Sequence, residues 1–163
     1  MTDPNITAFL SLIGRSEGTS TCKGTKNDGY DVINGGQIFT SYADHPRVLV
    51  HLKHADGSPV LKPDGTPLNS TAAGKFQILA HNFDVYKAQL HLPDFSPVSQ
   101  DAIAVQMMKE CHAISMLQDG NIQGAISACA SRWASFPGNS YGQHQHSMDE
   151  LVDAYESLGG LVA

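Results

Sequence analysis

The chain of 163 residues reads as an α+β protein, with a mainly helical lobe joined to a small β-containing lobe. Three observations predict this. Apolar residues recur at helical spacing in an opening segment, and again along most of the chain beyond residue 80. Between them, residues 38–79 carry a short apolar run, two Asp-Gly turn signals and several prolines, which suits a small β lobe rather than a helix. Residues 18–37 are rich in Gly, Thr, Asn and Asp and read as loop. At this length, one domain over 1–163 with two lobes around a cleft is the simplest arrangement, the region 38–79 forming the small lobe within it.

The elements follow in order. Asn5 is suited to cap a helix over 6–16, in which Ile6, Phe9, Leu10 and Ile13 share a buried face. Glu17 falls at its C-terminal end, followed by Gly18. A carboxylate there opposes the helix dipole, so the protonated form is easier to keep, and apolar surroundings would raise its pKa further. On this stretch alone, a solvated terminal glutamate and a general acid are both consistent. Val48, Leu49 and Val50 form a short strand candidate. Asp56-Gly57 and Asp64-Gly65 flank Val60-Leu61 as an elaborated hairpin or loop. Small residues at 72–74 permit close backbone approach, and Gln77 offers an amide to a ligand.

Helical patterns fill the remainder. Phe83, Tyr86 and Leu90 share a face over roughly 80–90. Ser96-Pro97 start a helix to about Cys111, with Val98, Ala102, Val105 and Met108 as its expected core stripe. A short helix over 113–118 ends at Asp119-Gly120, and Asn121 caps a segment burying Ile122, Ala125, Ile126 and Cys129. Trp133 and Phe136 are either core anchors or cleft aromatics, leading into Asn139, Tyr141 and Gln143. Ser147 and Glu150 form a capping box for a last helix that ends at Gly159-Gly160.

Composition excludes several classes. The formal net charge is -6 with no block of Lys or Arg, so no nucleic-acid partner is expected. No apolar run is long enough to span a bilayer, and residues 1–5 lack the features of a secretion signal, so cytoplasmic synthesis is expected. Cys22, Cys111 and Cys129 make an odd count without a CxxC pair, which argues against a disulfide framework. Eight histidines include the loop residues His51 and His54 and the alternating pair His144 and His146. None has standard zinc spacing, and neither a metal nor another cofactor is expected.

A series of motifs resembles the lambda-type bacteriophage endolysins, peptidoglycan lytic transglycosylases with a lysozyme-like fold. They are SEGT at 16–19, GYDVINGGQIF at 29–39, YADHPRVLV at 42–50, STAAGKFQIL at 70–79, DFSPVSQDAIAVQ at 94–106 and SRWASFPGNSYGQ at 131–143. They run in order over most of the chain, and together are far more specific than any one alone. The resemblance implies that Glu17 is the catalytic acid, acting on the β-1,4 bond between N-acetylmuramic acid and N-acetylglucosamine. The same residue then serves as base while the muramyl C6 hydroxyl attacks C1, giving a 1,6-anhydromuramyl end. It further implies that Gln77, Tyr141 and Gln143 line the substrate cleft, and that Asp31 either binds substrate or organises its loop.

The sequence departs from the family pattern at three places. Arg15 stands where a Trp often precedes the Ser-Glu pair, Asn82 and Phe83 replace a Trp pair, and about 53–69 looks like an insertion. The competing readings are a hydrolytic muramidase that uses Asp31 or another acid to activate water, a non-catalytic cell-wall-binding module, and a metal-dependent peptidase. The expected partner is the peptidoglycan glycan strand, met by a monomer. The implied setting is the host bacterial cytoplasm, from which a separate membrane-permeabilising phage protein gives access to the wall.

Overall fold

The computed structural model describes residues 3–54, 56–142 and 144–163. The order is α1 (Pro4–Ser16), β1 (Val50–His51), β2 (Asn69–Ser70), α2 (Ala80–Leu90), α3 (Pro97–Glu110), α4 (Ala113–Gln118), α5 (Ile122–Cys129) and α6 (Met148–Ser157). A mainly helical lobe and a small β-containing lobe are therefore both present, as the sequence predicts. Among the described residues, no helix is long and apolar enough to cross a membrane.

Helix α1 runs through the core and touches α3, α4 and α6. Ala8, Phe9, Leu12 and Ile13 are buried along it. Its cap is Asp3, whose carboxylate accepts from the Asn5 amide at 2.8 Å, and Pro4 takes the first helical position. Asn5 instead lies inside the first turn, buried. Its Nδ2 donates to Leu117 O at 2.7 Å, and its Oδ1 accepts from the Leu161 amide at 2.9 Å. The expected cap is thus a buried cross-link between α1, α4 and the C-terminal segment. At the other end, Gly18 adopts φ 72°, with Thr19 N bonded to Gly14 O and Gly18 N to Arg15 O, both at 3.0 Å. This left-handed closure satisfies late carbonyls and stops the helix directly after Glu17.

The small lobe is a ribbon. β1 and β2 pair antiparallel, with Val50 opposite Ser70 and His51 opposite Asn69. The chain between them doubles back twice, through the isolated bridges Lys53–Pro59 and Leu61–Pro67. Asp56 and Asp64 each accept from the amide two residues on, at 2.9 Å, so both Asp-Gly signals are turns. The strand expected at 48–50 instead starts at Val50 and covers only Val50–His51, leaving Leu49 exposed. Further bridges, Val32–Ile38, Ile33–Ala73 and Ala73–Ile78, start the extended pairing ahead of residue 38 and link the Gly35-Gly36 turn to residues 72–78.

The phase of α3 differs from expectation. Val98 is 79% exposed, whereas Ser99, Gln100, Ile103, Ala104, Met107 and Met108 form the buried face. The anchor is polar. Gln100 Nε2 donates to Tyr30 O and Phe95 O, while its Oε1 accepts from the Lys75 amide at 3.0 Å. A hydrophobic period cannot register a buried amide that closes three backbone groups. Of the other expected caps, Asn121 accepts from the Gly124 amide and Ser147 and Glu150 make a reciprocal capping box, whereas Ser96 holds the cap position of α3 without a side-chain cap bond.

Candidate active site

The end of α1 places Glu17 over a recess of about 160 Å³. Its lining comes from four parts of the chain: Glu17, then Asn34, then Ser70 and Ala72 with Phe76, Gln77 and Leu79, and finally Arg132, Trp133 and Ala134. Among the described lining residues, Glu17 is the sole acid. A larger recess of about 440 Å³ lies between α1 and α6, where Arg15, Glu150 and Asp153 mix charges of both signs. It shares Ser16 and His146 with the surroundings of Glu17 but lacks the Glu17 carboxyl, so chemistry rather than volume selects the smaller recess.

Glu17 keeps partial exposure to the recess, while protein crowds its carboxyl. Burial raises its pKa above the ordinary glutamate value of 4.5; the Ser135 hydroxyl and amide, and more weakly the charge of His146, pull the other way. Ser135 Oγ lies 2.6 Å from Glu17 Oε1 and 3.0 Å from Ser16 Oγ. Ser16 Oγ lies 3.0 Å from Ile13 O, and His146 Nε2 is 3.2 Å from Ser16 O. A carboxyl raised in this way stays protonated to a higher pH and can act as a general acid.

The loop carrying Ser135 is held by aromatic packing. Trp133 and Phe136 are both buried; Phe136 meets Phe9 of α1 with ring centroids 5.8 Å apart. Trp133 Nε1 donates to Phe76 O at 3.2 Å. Of the two readings for these residues, core anchoring therefore applies to both, and Trp133 also forms part of the recess wall. Gln77 also lines the recess, in a left-handed conformation with φ 50°. Its Nε2 donates to Gly74 O at 3.0 Å, which directs that nitrogen to backbone and leaves Oε1 without a protein donor among the described residues.

Two of the other expected binding residues, Asp31 and Tyr141, fall elsewhere. Asp31 is buried and does not line the Glu17 recess. One carboxylate oxygen accepts from Thr25 Oγ and the other from the Lys26 amide at 2.9 Å, so Asp31 organises its loop. Tyr141 is 55% exposed and donates to Ser131 O at 2.8 Å, lining a separate recess with Ser127, Gly138 and Asn139. Gln143 lies outside the described residues. Ser135 and Asn34 were missed by sequence reasoning; Ser135 sits inside the 131–143 motif, but nothing in its local pattern marks it as the partner of an acid 118 residues away.

Among the described residues, no group of three or more His, Cys, Asp or Glu could hold a metal ion. All three cysteines are free thiols. Burial pushes the Cys129 thiol far above its usual range, in keeping with an inert core residue.

The two-lobed α+β fold, with an enclosed acid ending its central helix, defines a lysozyme-like enzyme class. The chain belongs to the endolysin family, whose profile matches residues 7–162. It is 47% identical over 156 residues to the endolysin of Escherichia phage lambda, covering 95% of this chain and 91% of that relative. It is 43% identical over 167 residues to the endolysin of Escherichia phage P2, covering 99% and 97% respectively. The fold superposes on bacteriophage lambda lysozyme complexed with a chitohexasaccharide with a TM-score of 0.88 at 44% identity, covering 100% of this chain and 99% of that one. A second structure of the bacteriophage lambda lysozyme gives 0.85 at 43% identity, with the same coverage.

Proposed function

We propose that this endolysin is a peptidoglycan lytic transglycosylase. It cleaves the β-1,4 bond between N-acetylmuramic acid and N-acetylglucosamine and leaves a 1,6-anhydromuramyl end. The observation that carries the reading is the single enclosed carboxyl of Glu17, with no second acid among the described residues of its recess. A hydrolytic pair of carboxylates needs a second group to activate water or to attack the sugar. A substrate that supplies its own nucleophile does not.

In this mechanism protonated Glu17 donates to the leaving glycosidic oxygen as the C1–O bond breaks. The carboxylate so formed accepts the proton of the muramyl C6 hydroxyl, whose oxygen bonds to C1. Glu17 ends protonated and no water is consumed. The nucleophile is positioned by its own sugar ring, which removes the entropy of bringing in a second molecule. Gln77 supports the reading by turning its amide oxygen into a role as acceptor for a sugar hydroxyl or N-acetyl N–H. The binding of a chitohexasaccharide by the lambda lysozyme is consistent with a glycan strand in the corresponding cleft. The protein would act as a monomer after synthesis in the host cytoplasm, once a phage partner has permeabilised the membrane.

Mass spectrometry of the fragments released from purified peptidoglycan tests the chemistry. Anhydromuramyl ends, lighter than reducing ends by one water, are expected. Reducing muramic acid ends would overturn the proposal in favour of hydrolysis. Glu17→Gln should lower cleavage by about 10³-fold or more while the far-ultraviolet circular dichroism spectrum is retained. Substantial residual lysis would remove Glu17 from the centre of the mechanism.

A further inference from the structure

We propose that Ser135 and Ser16 form a two-hydroxyl switch that reverses direction when Glu17 changes from acid to base. Both serines are then positioning residues: Ser135 bonds the Glu17 carboxyl, Ser16 acts through Ser135, and neither lines the Glu17 recess. The inference rests on the acid-then-base role given to Glu17 above.

Counting hydrogens leads to it. Three contacts run in series: Glu17 Oε1 to Ser135 Oγ at 2.6 Å, Ser135 Oγ to Ser16 Oγ at 3.0 Å, and Ser16 Oγ to Ile13 O at 3.0 Å. Each hydroxyl carries one hydrogen, so Ser135 cannot donate to Glu17 and to Ser16 at once. With Glu17 protonated, the series fills in one direction. In the absence of substrate, Glu17 donates to Ser135, Ser135 to Ser16, and Ser16 to the Ile13 carbonyl. With Glu17 ionised, Ser135 turns to donate to the carboxylate, and Ser16 turns to donate to Ser135. Ile13 O keeps a donor in that state, because the Glu17 amide lies 2.9 Å from it.

Both serines are buried, so solvent is a poor substitute for either partner. Without Ser16, a Ser135 hydrogen turned away from Glu17 would lose its acceptor, which a buried hydroxyl tolerates badly. The pair therefore supports both protonation states of one carboxyl at little structural change. No proton travels along it. When substrate binds, the Glu17 O–H rotates from Ser135 to the glycosidic oxygen and is transferred there, its replacement comes from the C6 hydroxyl, and the serine hydrogens only rotate.

Other charged groups face the same carboxyl. His146 approaches from the segment before α6, with Glu150 3.9 Å beyond its Nδ1, and Arg132 lines the recess. On α1 itself, Arg15 is directed toward Ser157. All remain in place in serine variants, so a serine-dependent shift is separable from them.

The test is a carbon-13 NMR titration of the Glu17 carboxyl, alongside the pH profile of kcat/KM on purified peptidoglycan. Ser135→Ala removes the donor to the carboxylate and should raise the Glu17 midpoint by about half a pH unit or more. Ser16→Ala removes the acceptor needed by the protonated arrangement and should lower the midpoint. The double variant should match Ser135→Ala, since Ser16 acts only through Ser135. Each shift should reappear in the alkaline limb of kcat/KM. Thermal melts verify folding, and Ser16→Cys replaces Ser16→Ala if alanine destroys the fold. Shifts of the same sign, no shift for Ser16, or a double variant unlike Ser135→Ala would overturn the switch. The NMR midpoints are read without catalysis, so they stand even if product analysis refutes the transglycosylase reading.

Discussion

A carboxyl that is crowded by protein has a cost in stability as well as a use in catalysis. Burial makes the ionised form of Glu17 harder to hold in the fold than in the unfolded chain. Its folded pKa is raised, so the folded state binds more protons between the unfolded value of 4.5 and the folded one. Stability from this group is lost as pH rises through that window. Glu17→Gln removes the charge but keeps an oxygen for Ser135. It should melt higher than the wild type at neutral pH, by roughly 2–4 °C for each kcal/mol relieved. The difference should close as pH falls below the unfolded value. Melting curves collected from acid to neutral pH check this, and a difference independent of pH would contradict it. Glu17 itself was legible as an acid at a helix end, yet its enclosure was not, because Ser135 and Trp133 reach it from the far end of the chain.

Among the elements, α1 does most to position the site, and its N-terminus shows how that is achieved. Asn5 joins α1 to the end of α4 and to the C-terminal segment through two buried bonds. Asn5→Ala leaves Leu117 O and the Leu161 amide without that side chain and should cost about 1–3 kcal/mol in chemical denaturation. A cost within a few tenths would mean that neither bond contributes. The helical spans were largely readable, since caps and apolar periods are local. Ser147 with Glu150, and Asn121, behave as their sequence context indicates. Structure departs from local pattern where a polar residue is buried for a distant purpose. Asn5 bridges elements rather than capping α1, and Gln100 sets the phase of the buried face of α3.

On the scale of the molecule, His45 latches the small lobe to the helices. Its Nε2 lies 2.9 Å from Ile78 O and its Nδ1 accepts from the Arg47 amide at 3.0 Å, which sets a neutral tautomer. The ring packs against Phe83 and Phe95, with the Phe95 centroid 4.8 Å away. Burial lowers its pKa from 6.5. The folded state therefore takes up fewer protons than the unfolded chain as the solution is acidified. The contribution is intact above the unfolded value and is lost as pH falls through it toward the folded one. His45→Asn should be less stable near neutrality but should show a flatter decline in unfolding free energy below pH 6.5. Parallel declines in variant and wild type would exclude His45 as the source.

Local chemistry was enough to predict two lobes, their order, most helix boundaries and the acid that ends α1. It was enough because capping, turn formation and apolar periodicity involve residues within a few positions of one another. The chain order of the motifs likewise pointed to the endolysin family. Which residues share the recess was beyond that reach. Proximity across 118 residues brings Ser135 to Glu17, whereas Asp31 turns inward to its own loop and Tyr141 lines another surface. Long-range packing of α1, the 72–79 segment and the 131–136 loop creates that arrangement. With it comes the burial that changes an ordinary glutamate into an acid held above its usual pKa.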